Sequence, residues 1–254
     1  MPSSSLWSMT LAVGLMISLA APAPVPAASA QELTWERVGD VPIDAESIDF
    51  GPDGTLWAIG PPLHRLLPGG SVWEQACDQP GSGCYGDHVL ALSPDTVVWA
   101  DRYGARRSLD GGETWAAVFD GGGVLWEAAR DGPNAGLLLA GTTDSVGTAY
   151  STDRGATWTR ASIPGNNVIA HDATAFAEFP HGHPHAGRLL ASAYGGLRYS
   201  DDGGATWHKS NIYDDFFRYG GGGVAVAADG RAWATLGDGT LPNTQRYVSD
   251  DGAA

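Results

Sequence analysis

The chain has 254 residues, of which only 17% are charged, and it contains 36 glycines, 16 prolines and ten tryptophans. This turn-rich composition with large aromatic side chains favours many short β-strands over long helices, and no convincing helical period appears after residue 31. The net charge of −15 argues against nucleic acid and anionic membrane surfaces as partners, because like charges repel.

The first thirty residues carry no charged side chain, include an apolar run at 11–20 and end in the small-residue sequence ASA. This pattern predicts a signal peptide over 1–30, cut before Gln31, and hence a secreted or periplasmic protein. A membrane anchor is the alternative, but the run is shorter than the ~20 residues that span a bilayer, and three prolines interrupt the stretch that follows it. No later segment predicts a membrane span in the mature chain.

Cys77 and Cys84 are the two cysteines, and the stretch between them is rich in glycine and proline, which predicts a loop. In an exported protein such a pair predicts a disulfide that closes a small loop. A metal site on these two residues alone is improbable, since no histidine lies between them.

An eight-residue pattern, S-x-D-x-G-x-T-W, occurs three times, starting at Ser108, Ser151 and Ser200, which are 43 and 49 residues apart. A degenerate copy at 66–73 keeps its glycine and tryptophan, and a further copy begins at 249. Before each copy lies an apolar strand pattern with an alanine, as in LWAIG, VWADR, LLAGT, LLASA and AWATL. Each unit therefore predicts four short antiparallel strands, which repeat about every forty-five residues.

The three complete motifs resemble Asp-boxes, the repeats of the sialidase-like (BNR) β-propeller superfamily, and the resemblance covers essentially all of 31–254. It implies an all-β fold, a β-propeller of four-stranded antiparallel blades with Asp-box turns, in an exported, bacterial-type repeat protein. About five blades are predicted, at 39–80, 81–121, 122–164, 165–214 and 215–254. The resemblance is more specific for fold than for function.

The repeated residues have a structural interpretation. Short Ser and Asp side chains satisfy backbone N–H groups in a tight turn, glycine supplies a permissive backbone, and the indole packs beneath the turn. The predicted structural residues are Ser108, Asp110, Gly112, Trp115, Ser151, Asp153, Gly155, Trp158, Ser200, Asp202, Gly204 and Trp207. One aspartate per motif falls short of a calcium loop, and the resemblance likewise implies that Asp-boxes lie away from the active site.

Candidate ligand-binding residues lie in the loops between the second and third strands and in the links between blades. These loops share the face on which sialidase-like propellers place their ligand. The candidates are Asp101, Arg102, Tyr103, Asp172, Tyr213, Asp214, Asp215, Arg218 and Tyr219, with Asp87 and His88 beside the cysteine loop. Aromatic platforms, carboxylates and an arginine before four glycines suit a carbohydrate or peptide contact, although a solvated link between blades is the alternative at 212–223.

His181, His183 and His185 alternate, and imidazoles on one side of an extended segment could bind zinc or copper. The segment falls in a predicted turn between first and second strands, where proline and glycines favour a surface loop instead. No metal and no cofactor is therefore predicted, and these histidines remain weak metal candidates.

Two functions remain open. A sialidase-like glycoside hydrolase would need three arginines, a Tyr–Glu pair and an acid/base aspartate, and the first arginine of that family usually lies in an Arg-Ile-Pro motif that this chain lacks. Catalytic residues therefore stay unknown. The sequence favours a non-catalytic module that binds or assembles a glycan or protein ligand, as photosystem assembly factors and sortilin-type receptors show for similar repeats.

The ends of the chain suggest two further alternatives. The segment 33–38 begins with a Thr-Trp pair that has no turn before it, and it could supply the fourth strand of the last unit and close five blades. Alternatively, the sequence is a fragment of a larger propeller.

Overall fold

The computed structural model divides the chain into two compact units, Met1–Val38 and Gly39–Ala254. It describes residues 43–60, 62–77, 84, 86–101, 103–121, 123–142, 147–164, 173, 175–193, 196–212, 221–236 and 245–252, all in the second unit. The predicted signal peptide and the segment 33–38 lie outside these residues.

The described part of the chain consists of nineteen strands joined by turns and loops. It has no helix of the length and apolar character that crossing a membrane requires. Five antiparallel sheets follow one another along the chain. Sheet 1 contains β1 (Ser47–Phe50), β2 (Leu56–Ile59), β3 (His64–Leu66) and β4 (Glu74–Gln75). Sheet 2 contains β5 (His88–Ala91), β6 (Val97–Asp101), β7 (Gly104–Ser108) and β8 (Ala116–Phe119).

The later sheets repeat this order. Sheet 3 contains β9 (Gly123–Glu127), β10 (Leu138–Thr142), β11 (Thr148–Ser151) and β12 (Thr159–Arg160). Sheet 4 contains β13 (Ala175–Glu178), β14 (Leu189–Ala193), β15 (Gly196–Ser200) and β16 (His208–Lys209). Sheet 5 has three described strands, β17 (Gly221–Val226), β18 (Ala232–Leu236) and β19 (Gln245–Ser249). The prediction of an all-β fold built from antiparallel four-stranded blades is confirmed.

The strand pairing has the same register in each four-stranded sheet. The residue before the first position of the eight-residue motif pairs with the residue after the motif's final tryptophan. The pairs are Arg65 with Glu74, Arg107 with Ala116, Tyr150 with Thr159 and Tyr199 with His208. The shared length of the eight-residue turn therefore accompanies an identical register, even in sheet 1, where the turn lacks the serine and aspartate.

The core lies between successive sheets, which pack in chain order, and sheet 5 does not close onto sheet 1 among the described strands. Three of the four interfaces contain the tryptophan that ends a motif. Trp115 packs between sheets 1 and 2, Trp158 between sheets 2 and 3, and Trp207 between sheets 3 and 4. Trp207 is 1% exposed and lies 6.1 Å from the ring of Phe176. Burial of such a side chain contributes on the order of 2 kcal/mol or more.

Cys77 and Cys84 form the predicted disulfide, with their Cα atoms 6.0 Å apart. Both cysteines are buried against the interface of sheets 1 and 2. The cross-link therefore anchors the connection from sheet 1 to sheet 2 on this core.

Candidate functional site

The three complete motifs form the same hydrogen-bonded turn. In each turn the serine hydroxyl donates to the aspartate and accepts from the N–H of the glycine four residues after the serine. The Ser Oγ to Asp Oδ1 distances are 2.7, 2.8 and 2.9 Å for Ser108–Asp110, Ser151–Asp153 and Ser200–Asp202. The glycine N to Ser Oγ distances are 2.8, 2.8 and 2.9 Å for Gly112, Gly155 and Gly204. These glycines have φ of 94°, 77° and 86°, a region that side chains disfavour.

The same aspartates accept hydrogen bonds from the threonine four residues later. Hydrogen bonds from the hydroxyl and N–H of Thr114 lower the pKa of Asp110 to about 2. Hydrogen bonds from Thr157 lower the pKa of Asp153 to about 2 in the same way. At Asp202 burial opposes the shift, but the N–H of Thr206 and the hydroxyl of Ser200 outweigh it and lower the pKa. These carboxylates are ionised acceptors within their turns.

Asp53 is a fourth carboxylate whose pKa is lowered by hydrogen bonds within a turn. Burial works against ionisation, yet hydrogen bonds from the hydroxyl and N–H of Thr55 lower its pKa. In the described part of the chain, every carboxyl group with a displaced pKa has it lowered.

Four of the predicted candidates are described, and two of them, Asp101 and Tyr103, share the turn between β6 and β7. Asp101 accepts hydrogen bonds from the N–H groups of Tyr103, at 2.6 Å, and Gly104, at 2.9 Å. Tyr103 is 78% exposed. Beside them lies a small cavity of about 110 Å³, lined also by Arg106 and Phe119. Asp101 thus shapes the turn that presents Tyr103 to solvent.

The other predicted ligand-binding residues, Arg102, Asp172, Tyr213, Asp214, Asp215, Arg218 and Tyr219, lie outside the described residues. Asp87 and His88 are described. The N–H of Asp87 donates to the carbonyl of Ala100 at 2.8 Å. Burial lowers the pKa of His88, although the charge of Asp87 opposes the shift.

A larger cavity, of about 760 Å³, lies where the first strands of sheets 3, 4 and 5 end. We call it the first-strand basin. Aromatic and branched aliphatic side chains of the strands line it, together with acidic residues at the strand ends and in the following turn and one histidine. The apolar members are Trp126, Phe176, Val224 and Val226, and the polar members are Glu127, Asp131, Glu178 and His181. The rings of Trp126 and Phe176 lie 6.2 Å apart.

Hydrogen bonds and an ion pair hold two acidic residues of the basin, Glu178 and Glu127, in place. Glu178 accepts hydrogen bonds from the side-chain amide of Asn134 at 2.9 Å, the N–H of Asn134 at 3.1 Å and the N–H of Ala129 at 3.3 Å. Glu127 lies 3.3 Å from the guanidinium of Arg130, which also donates to the carbonyl of Ala91. The basin therefore combines an aromatic surface with fixed hydrogen-bond acceptors.

Sequence reasoning missed the first-strand basin, because its predicted site was on the opposite loops. The repeats nevertheless contain a sequence pattern that could have indicated this basin. Glu127 and Glu178 each end the first strand of their sheet, and an aromatic residue precedes each of them by one or two positions.

The histidine segment packs between sheets 4 and 5. The rings of Phe179 and His183 stack at 4.8 Å, and the ring of His185 lies 5.7 Å from that of His183. His183 and His185 pack so closely against Gly230 and Gly252 that a Cβ atom at either glycine would clash with a ring. No group of three metal-ligating side chains occurs within the described ranges.

No protein-family model and no curated protein sequence matches the chain. Its fold is similar to those of solved β-propeller proteins. An ancestral GH74 enzyme matches with a TM-score of 0.61 and 15% identity, over 86% of this chain and 31% of that one. YCF48 bound to D1 peptide matches with a TM-score of 0.54 and 18% identity, over 81% of this chain and 64% of that one.

The extracellular domain of a hybrid two-component system from B. thetaiotaomicron matches with a TM-score of 0.56 and 12% identity, over 84% of this chain and 28% of that one. The chain spans less than two thirds of the length of each of these three proteins. At such identities the similarity shows the fold alone. The structure therefore belongs to the β-propeller class, and its sheets are blades.

Proposed function

We propose that this protein is an exported, Asp-box β-propeller of the sialidase-like type that acts as a binding or assembly module for a protein or glycan ligand. The observation that carries the proposal is the first-strand basin, where Trp126 and Phe176 offer an apolar surface beside fixed carboxylates. Ligand sites typically combine such a surface with a few oriented polar groups. The disulfide and the predicted signal peptide support export.

The chemistry of the basin suits two kinds of ligand group. Carboxylates accept charge-assisted hydrogen bonds from lysine or arginine side chains of a peptide. They also accept hydrogen bonds from sugar hydroxyls, while an indole face covers the apolar side of a sugar ring. The net charge of −15 adds long-range attraction for a basic peptide.

A sialidase-like hydrolase is the alternative. It would need a carboxyl group that stays protonated until it donates to the leaving group. Glu178 is already held by three hydrogen bonds from Asn134 and Ala129, as a fixed acceptor would be. This arrangement supports binding over hydrolysis.

The test is calorimetric titration of the purified protein with a panel of basic peptides and neutral oligosaccharides. We expect saturable binding by one class, weakened at least tenfold by Trp126→Ala and unchanged by Phe50→Ala, a matched control at an aromatic residue of sheet 1 that is 62% exposed. Thermal unfolding of each variant checks the fold. Turnover of a glycoside that Glu127→Gln abolishes would instead establish the hydrolase.

A further inference from the structure

The half-buried carboxylate of Glu178 lines the first-strand basin without a cation to balance its charge. Its three hydrogen-bond donors, the side-chain amide and N–H of Asn134 and the N–H of Ala129, are all neutral. Glu127, the other strand-end glutamate of the basin, is paired with Arg130 instead. Within the ranges that the structure describes, no basic side chain lies at ion-pair distance from Glu178. A carboxylate in this setting favours a cationic ligand group.

The same hydrogen bonds determine which kind of cation fits. Oε1 of Glu178 accepts from the N–H of Asn134 at 3.1 Å and from its side-chain amide at 2.9 Å, so both lone pairs of this oxygen are used. Oε2 accepts only the 3.3 Å bond from the N–H of Ala129 and keeps one position open. A guanidinium binds a carboxylate through both oxygens at once, whereas the ammonium of lysine needs a single acceptor position. Glu178 therefore suits lysine better than arginine.

An apolar surface for the methylene groups of a lysine lies beside this carboxylate. Phe176 and Glu178 are two residues apart in β13, so their side chains point to the same face of sheet 4, and this spacing covers roughly 7 Å. The ring of Trp126 lies 6.2 Å from that of Phe176, and the half-buried indole offers the accessible face. The four-carbon stem of lysine can lie along this surface while its ammonium reaches Glu178. An ammonium near an indole face also gains a cation–π attraction.

The charge of the basin distinguishes a lysine from a sugar. A sugar hydroxyl could donate to the open position of Glu178, but it would leave the charge of that carboxylate unbalanced after water is displaced, which is costly. Asp131, an exposed carboxylate that also lines the basin, adds a second negative charge. The net charge of −15 attracts a cationic segment from a distance. These charges favour an ammonium group.

We propose that the first-strand basin recognises an unmodified lysine side chain on the surface of a partner protein. This inference rests on the proposed binding function of the basin and names the ligand group that the basin takes. The ammonium donates one hydrogen bond to Oε2 of Glu178, and the stem packs on Trp126. Asp131 strengthens the attraction from the neighbouring turn.

The probes are four fluorescent heptapeptide libraries with random uncharged flanks, which differ only in a central lysine, arginine, norleucine or trimethyllysine. Their binding to the full-length protein is measured by fluorescence anisotropy. We expect the lysine library to bind saturably and the arginine and norleucine libraries to bind at least tenfold more weakly. Trimethyllysine keeps the charge but has no N–H to donate, so we expect a loss of at least tenfold there as well. These comparisons use the unaltered protein and do not depend on the folding of a variant.

Matched variants of the protein assign the preference to one carboxylate. Glu178→Gln keeps an oxygen that can accept from Asn134 but removes the charge, and it should weaken binding of the lysine library at least tenfold. Glu74→Gln is the control, because Glu74 lies on sheet 1 and is paired with Arg65, and it should leave the affinity unchanged. Circular dichroism establishes that both variants are folded. An unchanged affinity in folded Glu178→Gln, or equal affinity of the lysine library and either the arginine or the trimethyllysine library, would overturn the proposal.

Trp126→Ala separates the failure of this inference from the failure of the proposed function. Neutral oligosaccharide binding that Trp126→Ala abolishes, without a preference for lysine, would overturn the lysine assignment and leave the basin as a binding site. If no probe binds in a way that depends on Trp126, both proposals are overturned. The chain contains a single lysine, Lys209. A dimer in analytical ultracentrifugation that Lys209→Gln dissociates would assign the basin to a second copy and overturn the partner assignment.

Discussion

The interface of sheets 3 and 4 and the interface of sheets 4 and 5 are built from equivalent strands, yet Trp207 fills the first and a cavity occupies the second. The sheets around the cavity keep the same antiparallel order, and their second and third strands pair in the same register. The comparison teaches that an indole such as Trp207 fills the space between two sheets whose framework is set by strand pairing.

Removal of the Trp207 indole should leave a cavity between sheets 3 and 4 like the one between sheets 4 and 5. We expect Trp207→Ala to lower the free energy of unfolding by about 3–5 kcal/mol, because it leaves a cavity among side chains that cannot collapse fully. Urea denaturation followed by far-UV circular dichroism measures the change. Trp233→Ala is the control, since Trp233 is 51% exposed, and a comparable loss there would contradict the packing argument.

The hydrogen bonds of the turn before Trp207 can be disrupted by a substitution that leaves the tryptophan unchanged. Ser200→Ala removes the acceptor for the N–H of Gly204 in a fully buried position. We expect a loss of about 1–3 kcal/mol, the usual cost of an unsatisfied buried donor. At Ser249, where the hydroxyl bonds Asp251 in the described part of the last turn, the same substitution should cost less. Thermal melts of both variants give the comparison, and equal losses would argue against it.

An Ala→Leu substitution should have different effects on the free energy of unfolding at the equivalent positions Ala191 and Ala234. Ala191 is buried in the packed interface of sheets 3 and 4, and Ala234 lines the cavity of about 380 Å³ between sheets 4 and 5. We expect Ala191→Leu to destabilise by about 1–3 kcal/mol through overpacking. Ala234→Leu should be neutral or stabilising, by about 1 kcal/mol or less, because it buries methylene groups in empty space. Paired urea titrations decide the question, and the same sign at both positions would show that the two interfaces are packed alike.

Acid should weaken the complete turns through a smaller effect. The folded-state pKa of Asp110 and of Asp153 is about 2, below the ordinary value of 3.8. The stability that these groups contribute is therefore present above about pH 4 and is lost as the pH falls from 4 towards 2. Since both carboxylates are exposed, the effect of each should be modest. Asp153→Asn should make the melting temperature less dependent on pH over this range, whereas an unchanged slope would exclude a contribution from Asp153.

Much of this fold could be predicted from sequence because its turns are local. Ser200, Asp202 and Gly204 lie within five residues of one another, so their hydrogen bonds depend on chain positions that the motif itself shows. The disulfide was predictable for the same reason, since six residues separate Cys77 from Cys84. The candidate sites were harder to predict from the sequence. Trp126, Phe176 and Val224 belong to three different sheets and meet in the first-strand basin only after those sheets pack.

The histidine segment shows the same limit. Alternating histidines suggested a metal site, and their neighbours in space, Phe179, Gly230 and Gly252, lie up to sixty-seven residues away in the chain. The packing between sheets 4 and 5 therefore could not be inferred from the local pattern.

The sequence by itself determined the antiparallel blades, their motif turns and the disulfide, because each depends on hydrogen bonds or a covalent bond between residues that are close along the chain. Only the tertiary structure decided which strand ends line a basin and which interface keeps a cavity. Those features depend on the packing of side chains from separate sheets, and packing is a property of positions in space that no single repeat encodes.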